Sequence, residues 1–347
     1  MKSGLLPENK NTLYPDSVNV LMAQIRSAIE ASKIVMVISH LDPDGDALGT
    51  QLAVSSHLAR LGKQVFSVRE SEIPMKYRFL TDMYAIQTFD SIDPAIKPDT
   101  VIVLECPGKD RIGRAMHFLE TAVSVINIDH HAANDMYGTV NWLDATASSV
   151  GEMLTEYFDF VGYDLSSVEA TQLYTAILTD TGRFRYSSTS TRTMKAAALL
   201  ISRGAKPQDI TDAIYFSQPV SSLRLMGRVL NSIEFHHGNR ICMIQMTRHM
   251  LAESGAIGSE GEGLVDFVLQ GRDAVTGALL KEVDGSTTKV SLRSRSGLDV
   301  ASLALQFGGG GHVNAAGCTL QLPLIQAREI VLNVLTKAVT EYERTHH

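Results

Sequence analysis

Cysteine is scarce in this 347-residue chain, and the three present, Cys106, Cys242 and Cys318, are scattered without a CxxC pair. Neither a disulfide framework nor a cysteine zinc site follows, and a reducing, cytoplasmic setting suits such a chain. Positive charge is also in deficit, 31 Lys and Arg against 38 Asp and Glu, for a formal net charge of -7. That argues against a long footprint on duplex DNA, which needs a basic face, but leaves room for a short or small anionic substrate. No segment carries eighteen uninterrupted apolar residues, and Met1 to Val20 lacks a charged region followed by an apolar one. Neither a membrane span nor a secretory signal is therefore expected. Repeats and low-complexity tracts are missing as well, and the terminal His346-His347 pair is not read as part of a site.

What is present has the length of two domains. After a loose leader to about residue 15, Val18, Leu21, Met22, Ile25 and Ile29 recur at helical spacing behind an Asp16/Ser17 start. A strand over Lys33 to Ser39, a helix over Ala47 to Leu61 and a strand over Gln64 to Val68 then predict a right-handed parallel crossover. Further apolar strands are expected at Thr100 to Leu104 and Ala122 to Ile128, and a helical pattern starts near Ser166. Residues 16–190 read as a parallel-sheet α/β domain, 191–231 as a helical connector, and 232–345 as a smaller mixed-sheet α/β domain. Strands at Arg240 to Met246, Ala274 to Val283 and Thr288 to Leu292, a helix around Glu262 to Gln270 and a terminal helix Leu324 to Glu343 make up the last.

Chemistry concentrates where the strands end. Ser39-His40-Leu41-Asp42-Pro43-Asp44-Gly45-Asp46 puts one imidazole and three carboxylates into seven residues after the first strand. Such a donor set suits Mn²⁺, Mg²⁺ or Zn²⁺, although an acidic turn capping the next helix would have the same composition. Glu105-Cys106-Pro107 and Asp129-His130-His131 follow two other strands. Parallel strands bring their C-terminal ends to one edge, so these groups converge. Asp180, in Thr179-Asp180-Thr181-Gly182, is either a further ligand or a group solvating a turn. Cys106 reads as a small packing residue.

Near the end, Gly308-Gly309-Gly310-Gly311-His312-Val313-Asn314 carries four consecutive glycines, which imply a backbone that approaches something closely. Exposed N–H groups there would suit a phosphate, with His312 and Asn314 as side-chain donors, and a flexible loop is the competing account. Upstream, Ser291-Leu292-Arg293-Ser294-Arg295 offers two guanidiniums, either for bidentate phosphate contact or as a solvated strand face.

These motifs together resemble the DHH phosphoesterase superfamily, through Asp129-His130-His131, His40-x3-Asp44-x-Asp46, Thr179-Asp180-Thr181-Gly182 and, in its DHH-associated C-terminal domain, the glycine-histidine run. In length the chain is most similar to the nano-RNase and pAp phosphatase branch. The resemblance implies two Mn²⁺ ions, with Mg²⁺ or another divalent metal as substitutes. His40 and Asp44 would hold one, Asp46, His130 and Asp180 the other, and Glu105 would bridge them. It implies that Asp129 orients a ligand histidine, that His131 faces the substrate phosphate, and that Arg293, Ser294, Gly309, Gly310, Gly311, His312 and Asn314 bind substrate. Asp42 would stand behind the ligands. The reaction so implied is hydrolysis of short single-stranded RNA from the 3′ end to mononucleotides, with pAp 3′-phosphatase activity beside it, by a cytoplasmic enzyme that has no membrane partner and leaves room for a homodimer. Cyclic or linear dinucleotides are the alternative substrates. Glu105 departs from the aspartate usual in the family, which leaves a decayed, nucleotide-binding regulator as a third reading.

Overall fold

The computed structural model describes residues 15–81, 85–261, 263–295 and 297–346, without the side chains of Ser259, His312 and His346. All but Pro15 of the expected leader lies outside them. The chain forms two compact units, one through Ser217 and one from Gln218, and the division falls inside the stretch read as a connector.

The first unit runs α1 (Asp16–Ala31), β1 (Ile34–Ile38), α2 (Gly45–Arg60), β2 (Gln64–Arg69), β3 (Gln87–Thr88), β4 (Thr100–Leu104), α3 (His117–Thr121), β5 (Ser124–Asp129), β6 (Val140–Leu143), α4 (Val150–Phe160), α5 (Ser167–Asp180), α6 (Thr191–Ser202) and α7 (Pro207–Tyr215). Its six strands lie in the order β3-β2-β1-β4-β5-β6, and every pairing is parallel. Alternate residues of β1, β4 and β5 enter opposite cores. Val35, Val37, Ile102, Leu104, Ile126 and Ile128 pack against the helical layer that includes α2, α4 and α5, whereas Met36, Ile38, Val101, Val103 and Val125 pack against Phe118 and Ile112. A sheet buried on both faces explains why its central strands read as unbroken apolar runs rather than alternating ones. The sequence direction reverses between β1 and β4, and such a switch point opens a crevice at the carboxyl edge. His40 follows β1 and Glu105 follows β4.

Two contacts fix α2, which starts just beyond that crevice. Gln51 donates from Nε2 to Val37 O and Val68 O, 3.1 and 2.9 Å away, and Ser39 Oγ donates to its Oε1, tying the helix to β1 and β2 from inside. Where α2 crosses α5 there is no space for side chains. A Cβ on Gly49 would lie 2.3 Å from Gln172 O, and one on Gly45 2.3 Å from Thr179 Oγ1.

The second unit runs α8 (Val220–Leu230), β7 (Glu234–His236), β8 (Ile241–Met246), α9 (Arg248–Ser254), β9 (Thr276–Glu282), β10 (Thr288–Ser294), α10 (Val300–Leu305), β11 (Gly310–His312), β12 (Ala315–Leu320) and α11 (Leu324–His346). Its sheet, β11-β12-β10-β9-β8-β7, is mixed, with β8 and β9 parallel and the other pairs antiparallel. The helix expected around Glu262 to Gln270 is a six-residue 3-10 helix, Leu264–Leu269, ended by the Gln270-Gly271 punctuation. The glycine run is also more regular than a loop. Gly310 and Gly311 pair with Gly317 and Ala316 of β12, and a Cβ on Gly309 would sit 2.1 Å from Gly317 O. What this backbone approaches closely is its own neighbouring strand. Among the described residues no helix is long and apolar enough to cross a membrane.

Candidate metal centre

The strand ends of the first unit deliver their polar residues to one place. His40, Asp44 and Glu105 offer ligand atoms that all lie within 4.8 Å of one another, and so do Asp46, His130 and Asp180; Glu105, His130 and His131 form a third such group. Glu105 thus belongs to two of these groups and lies beside the third: its Oε2 is 2.6 Å from His40 Nε2 and its Oε1 is 3.7 Å from His130 Nε2. Asp42 is exposed and joins none of these groups.

Four of these side chains, Asp44, Asp46, His130 and His131, are held from behind. Asp44 caps α2, accepting from the N–H groups of Asp46 and Ala47 at 3.0 Å. Asp46, fully buried, accepts from Val150 N–H at 2.7 Å and Gly151 N–H at 2.9 Å, the first amides of α4. His130 donates from Nδ1 to Ala147 O at 3.2 Å, which directs Nε2 into the cluster, 3.4 Å from Asp180 Oδ2. Asp129 is buried and accepts from His131 Nδ1 at 2.8 Å, while Asn134 Nδ2 donates to its other oxygen at 2.6 Å. The histidine that Asp129 orients is therefore His131. Glu105 has φ 54°, a left-handed backbone that is uncommon outside glycine.

The electrostatics are those of a site with too much negative charge. Burial first, and then Asp180 and Glu105, raise the Asp46 carboxyl well above its usual range. Burial raises Asp180 to about 7, with Asp44 and Glu105 adding to the effect against His130. Asp44 is raised too, by surrounding protein and then by Glu105, although the residue keeps contact with solvent. Burial would lower His130, but its contact with Glu105 and the charges of Asp46 and Asp180 outweigh that and raise it to about 10. Glu105 alone goes down, to about 2, because His130, His40 and His131 overcome the cost of burying it. Clustered carboxylates whose charged forms are disfavoured in this way are an arrangement that a bound cation would relieve. Two buried atoms agree with this. His40 Nδ1 is buried without a hydrogen bond, and Glu105 Oε2 is buried with only the His40 Nε2 contact at 2.6 Å. Hard oxygen and imidazole donors in this number fit Mn²⁺ or Mg²⁺.

The DHH family N-terminal domain model matches residues 34–179 and the DHHA1 domain model matches residues 250–343. Across 92% of this chain and 94% of the relative, identity is 33% to the bifunctional oligoribonuclease and PAP phosphatase NrnA of Thermus thermophilus. The chain belongs to the DHH family. It is a phosphoesterase, a hydrolase acting on phosphate ester bonds. The cyclic-di-AMP phosphodiesterase PdeA of Listeria monocytogenes is 23% identical over 91% of this DHH chain, which spans half of that relative. Among solved structures, an exopolyphosphatase-related protein from Bacteroides fragilis superposes with a TM-score of 0.86 at 25% identity, covering 94% of this chain and 97% of that one.

Of the residues expected to bind substrate in the DHHA1 unit, Arg293 donates from Nε to Asp266 Oδ1 at 2.9 Å, and Gly310, Gly311 and Asn314 are exposed. Gly309 is half-buried against β12. Ser294 is buried, and its hydroxyl donates to Leu298 O at 2.6 Å. Arg295 is absorbed by the carbonyls of Leu269, Gly271 and Arg272. The His312 side chain lies outside the described residues. Sequence reasoning missed Asn134 and the segment 144–151 that backs His130 and Asp46. An amide three residues after Asp129-His130-His131 was a visible signal for the first. A backbone carbonyl, the partner of His130, leaves no signal in residue type.

Proposed function

We propose that the protein is a two-metal, Mn²⁺-dependent phosphodiesterase that degrades short single-stranded oligoribonucleotides to mononucleotides, beginning at the 3′ end, and dephosphorylates pAp. The observation that carries this reading is the pair of ligand groups His40-Asp44-Glu105 and Asp46-His130-Asp180 with Glu105 beside both. Divalent cations bound there supply an activated water and charge neutralisation at phosphorus. The chain itself does the rest. Asp129 fixes His131 so that Nε2 is presented to the phosphate. Ala147 and the α4 amides keep His130 and Asp46 in register. Burial pushes the Cys106 thiol up to about 12 and it donates to Gly108 O, so it does not serve as a nucleophile. Arg293, the exposed glycines of β11 and Asn314 grip the rest of the substrate.

Likeness to PdeA supports a second reading, hydrolysis of cyclic dinucleotides or their linear products, with the same groups in the same roles. One experiment separates the two: protein with Mn²⁺ is offered pAp, a dinucleotide, an end-labelled five-residue RNA and a cyclic dinucleotide side by side. Faster turnover of RNA and pAp supports the first reading, and the position of the retained label gives the polarity. Preference for the cyclic dinucleotide replaces it with the second. No turnover of any of the four overturns both.

A further inference from the structure

Arg192, near the start of α6, belongs to none of the three ligand groups, yet its guanidinium is fully engaged. It donates from Nε and Nη2 to the two oxygens of Glu156, both at 2.5 Å, and from Nη1 to Asp144 Oδ2 at 2.6 Å. Glu152 Oε1 lies 3.1 Å from its Nε, close enough for an ion pair but without a hydrogen bond of its own. Three carboxylates around one arginine is more charge than fold stability alone asks for, since buried ion pairs return little net stability.

What the arginine joins is informative. Asp144 directly follows β6 and opens the turn that Ser149 closes as the cap of α4. Its N–H donates to Asp129 O at 3.1 Å, and its Oδ1 accepts from the N–H and hydroxyl of Thr146. Glu152 accepts from Ser148 Oγ, and its N–H donates to Ser149 Oγ. Arg192 therefore grips the segment at its beginning, through Asp144, and in the first two turns of α4, through Glu152 and Glu156. Between these grips lie Ala147 O, which sets the tautomer of His130, and the amides of Val150 and Gly151, which hold both oxygens of Asp46. We infer that Arg192 is a positioning residue for the metal centre, acting through segment 144–156 on His130 and Asp46. The inference rests on the two-cluster reading above.

A role in fold stability alone would lower the melting temperature and leave the affinity for metal unchanged. A positioning role shows in the affinity. The test is Mn²⁺ titration calorimetry on purified wild type, Arg192→Met, Arg192→Lys and Asp144→Ala, with melting temperature read with and without Mn²⁺. Asp144→Ala is included because it releases the turn while leaving the Arg192–Glu156 pair intact, so it remains informative if Arg192→Met fails to fold. Expected are a rise in Mn²⁺ Kd of about 10-fold or more in Arg192→Met and in Asp144→Ala, the range seen when the partners behind metal ligands are removed. Arg192→Lys should recover part of the loss. Unchanged Kd in folded Asp144→Ala, or in folded Arg192→Met, overturns the inference while leaving the metal centre standing. Absence of Mn²⁺ binding in wild type overturns the metal centre itself, and the inference with it.

Discussion

Asp46 and Val150, 104 residues apart, are joined by a 2.7 Å hydrogen bond from the Val150 N–H, and Gly151 N–H adds a second at 2.9 Å. A carboxylate in that position is a helix anchor as well as a candidate ligand, which sets it apart from Asp180. Asn at 46 can accept with one atom only and turns an NH₂ toward the other amide. Asp46→Asn is expected to abolish Mn²⁺-dependent hydrolysis and to cost about 1–3 kcal/mol of stability, the scale of a buried donor left unpaired. Asp180→Asn should abolish hydrolysis equally but leave the metal-free protein as stable as wild type or more so, since it removes a like charge. Urea unfolding of both variants in EDTA measures the difference. Equal destabilisation would show that Asp46 has no separate anchoring role.

The raised groups make stability depend on pH in a stated direction. His130, at about 10 in the fold against about 6.5 unfolded, holds its proton more tightly when folded. Its contribution is full below about 6.5 and is lost as pH rises toward 10. Asp180, at about 7 against about 3.9 unfolded, acts in the same sense between those values. Burial lowers His57 to about 4, so below about 6.5 it opposes them, costing stability as pH falls. Between pH 7 and 10 the metal-free protein is therefore expected to melt at progressively lower temperature. Added Mn²⁺ should reverse the loss, because it binds the deprotonated groups. Melting curves in EDTA and in Mn²⁺ check this, and a metal-free melting temperature that rises over the window would refute the charge assignment.

The parts of this fold that are legible in sequence are those whose contacts are local or apolar. Central strands β1, β4 and β5 are buried on both faces and so read as apolar runs, and their ends announce the polar residues. Helix α4 escapes notice because Glu152 and Thr155 are buried on it, interrupting the apolar stripe. The partner that makes Glu152 acceptable there, Arg192, lies 40 residues on. Strand β3 has two residues and β6 four, too short for a periodic pattern. The glycine run is visible as a demand for close approach, but what it approaches, Gly317 O, is a property of strand register.

The crossing of α2 and α5 brings Asp44 and Asp46 from one helix start to Asp180 at the other's end. With backbone oxygen 2.3 Å from an added Cβ at position 49, Gly49→Ala must push the helices apart. Overpacking of this kind costs about 1–3 kcal/mol, and the displacement should also raise the Mn²⁺ concentration needed for half-maximal hydrolysis. Denaturant melts and a metal titration of activity test both. Wild-type values in each would mean that the crossing relaxes elsewhere.

Glu105 sits at positive φ, a conformation that aspartate tolerates better than glutamate does. Glu105→Asp should therefore leave stability unchanged or slightly raised and keep most of the activity, since the carboxylate remains near both ligand groups. Glu105→Gln keeps the length and removes the charge. Its hydrolysis should collapse even with Mn²⁺ in excess, and equal rates for Glu105→Gln and wild type would show that Glu105 is not a bridging ligand.

Arg293 tests whether the DHHA1 unit grips substrate or takes part in the chemistry. Its guanidinium is shared with Asp266 and partly exposed, so it is available to a phosphate at the cost of that ion pair. Arg293→Ala should slow short RNA hydrolysis by about 10-fold or more, equivalent to roughly 1.4 kcal/mol of transition-state binding. It should leave bis-p-nitrophenyl phosphate, which has no nucleotide to hold, near the wild-type rate. Binding energy from remote contacts also positions the reacting group, so kcat as well as KM is expected to suffer on RNA. Asp266→Ala, by freeing the guanidinium, should move KM for RNA the other way. Equal losses of Arg293→Ala on both substrates would place this arginine in the catalytic step itself.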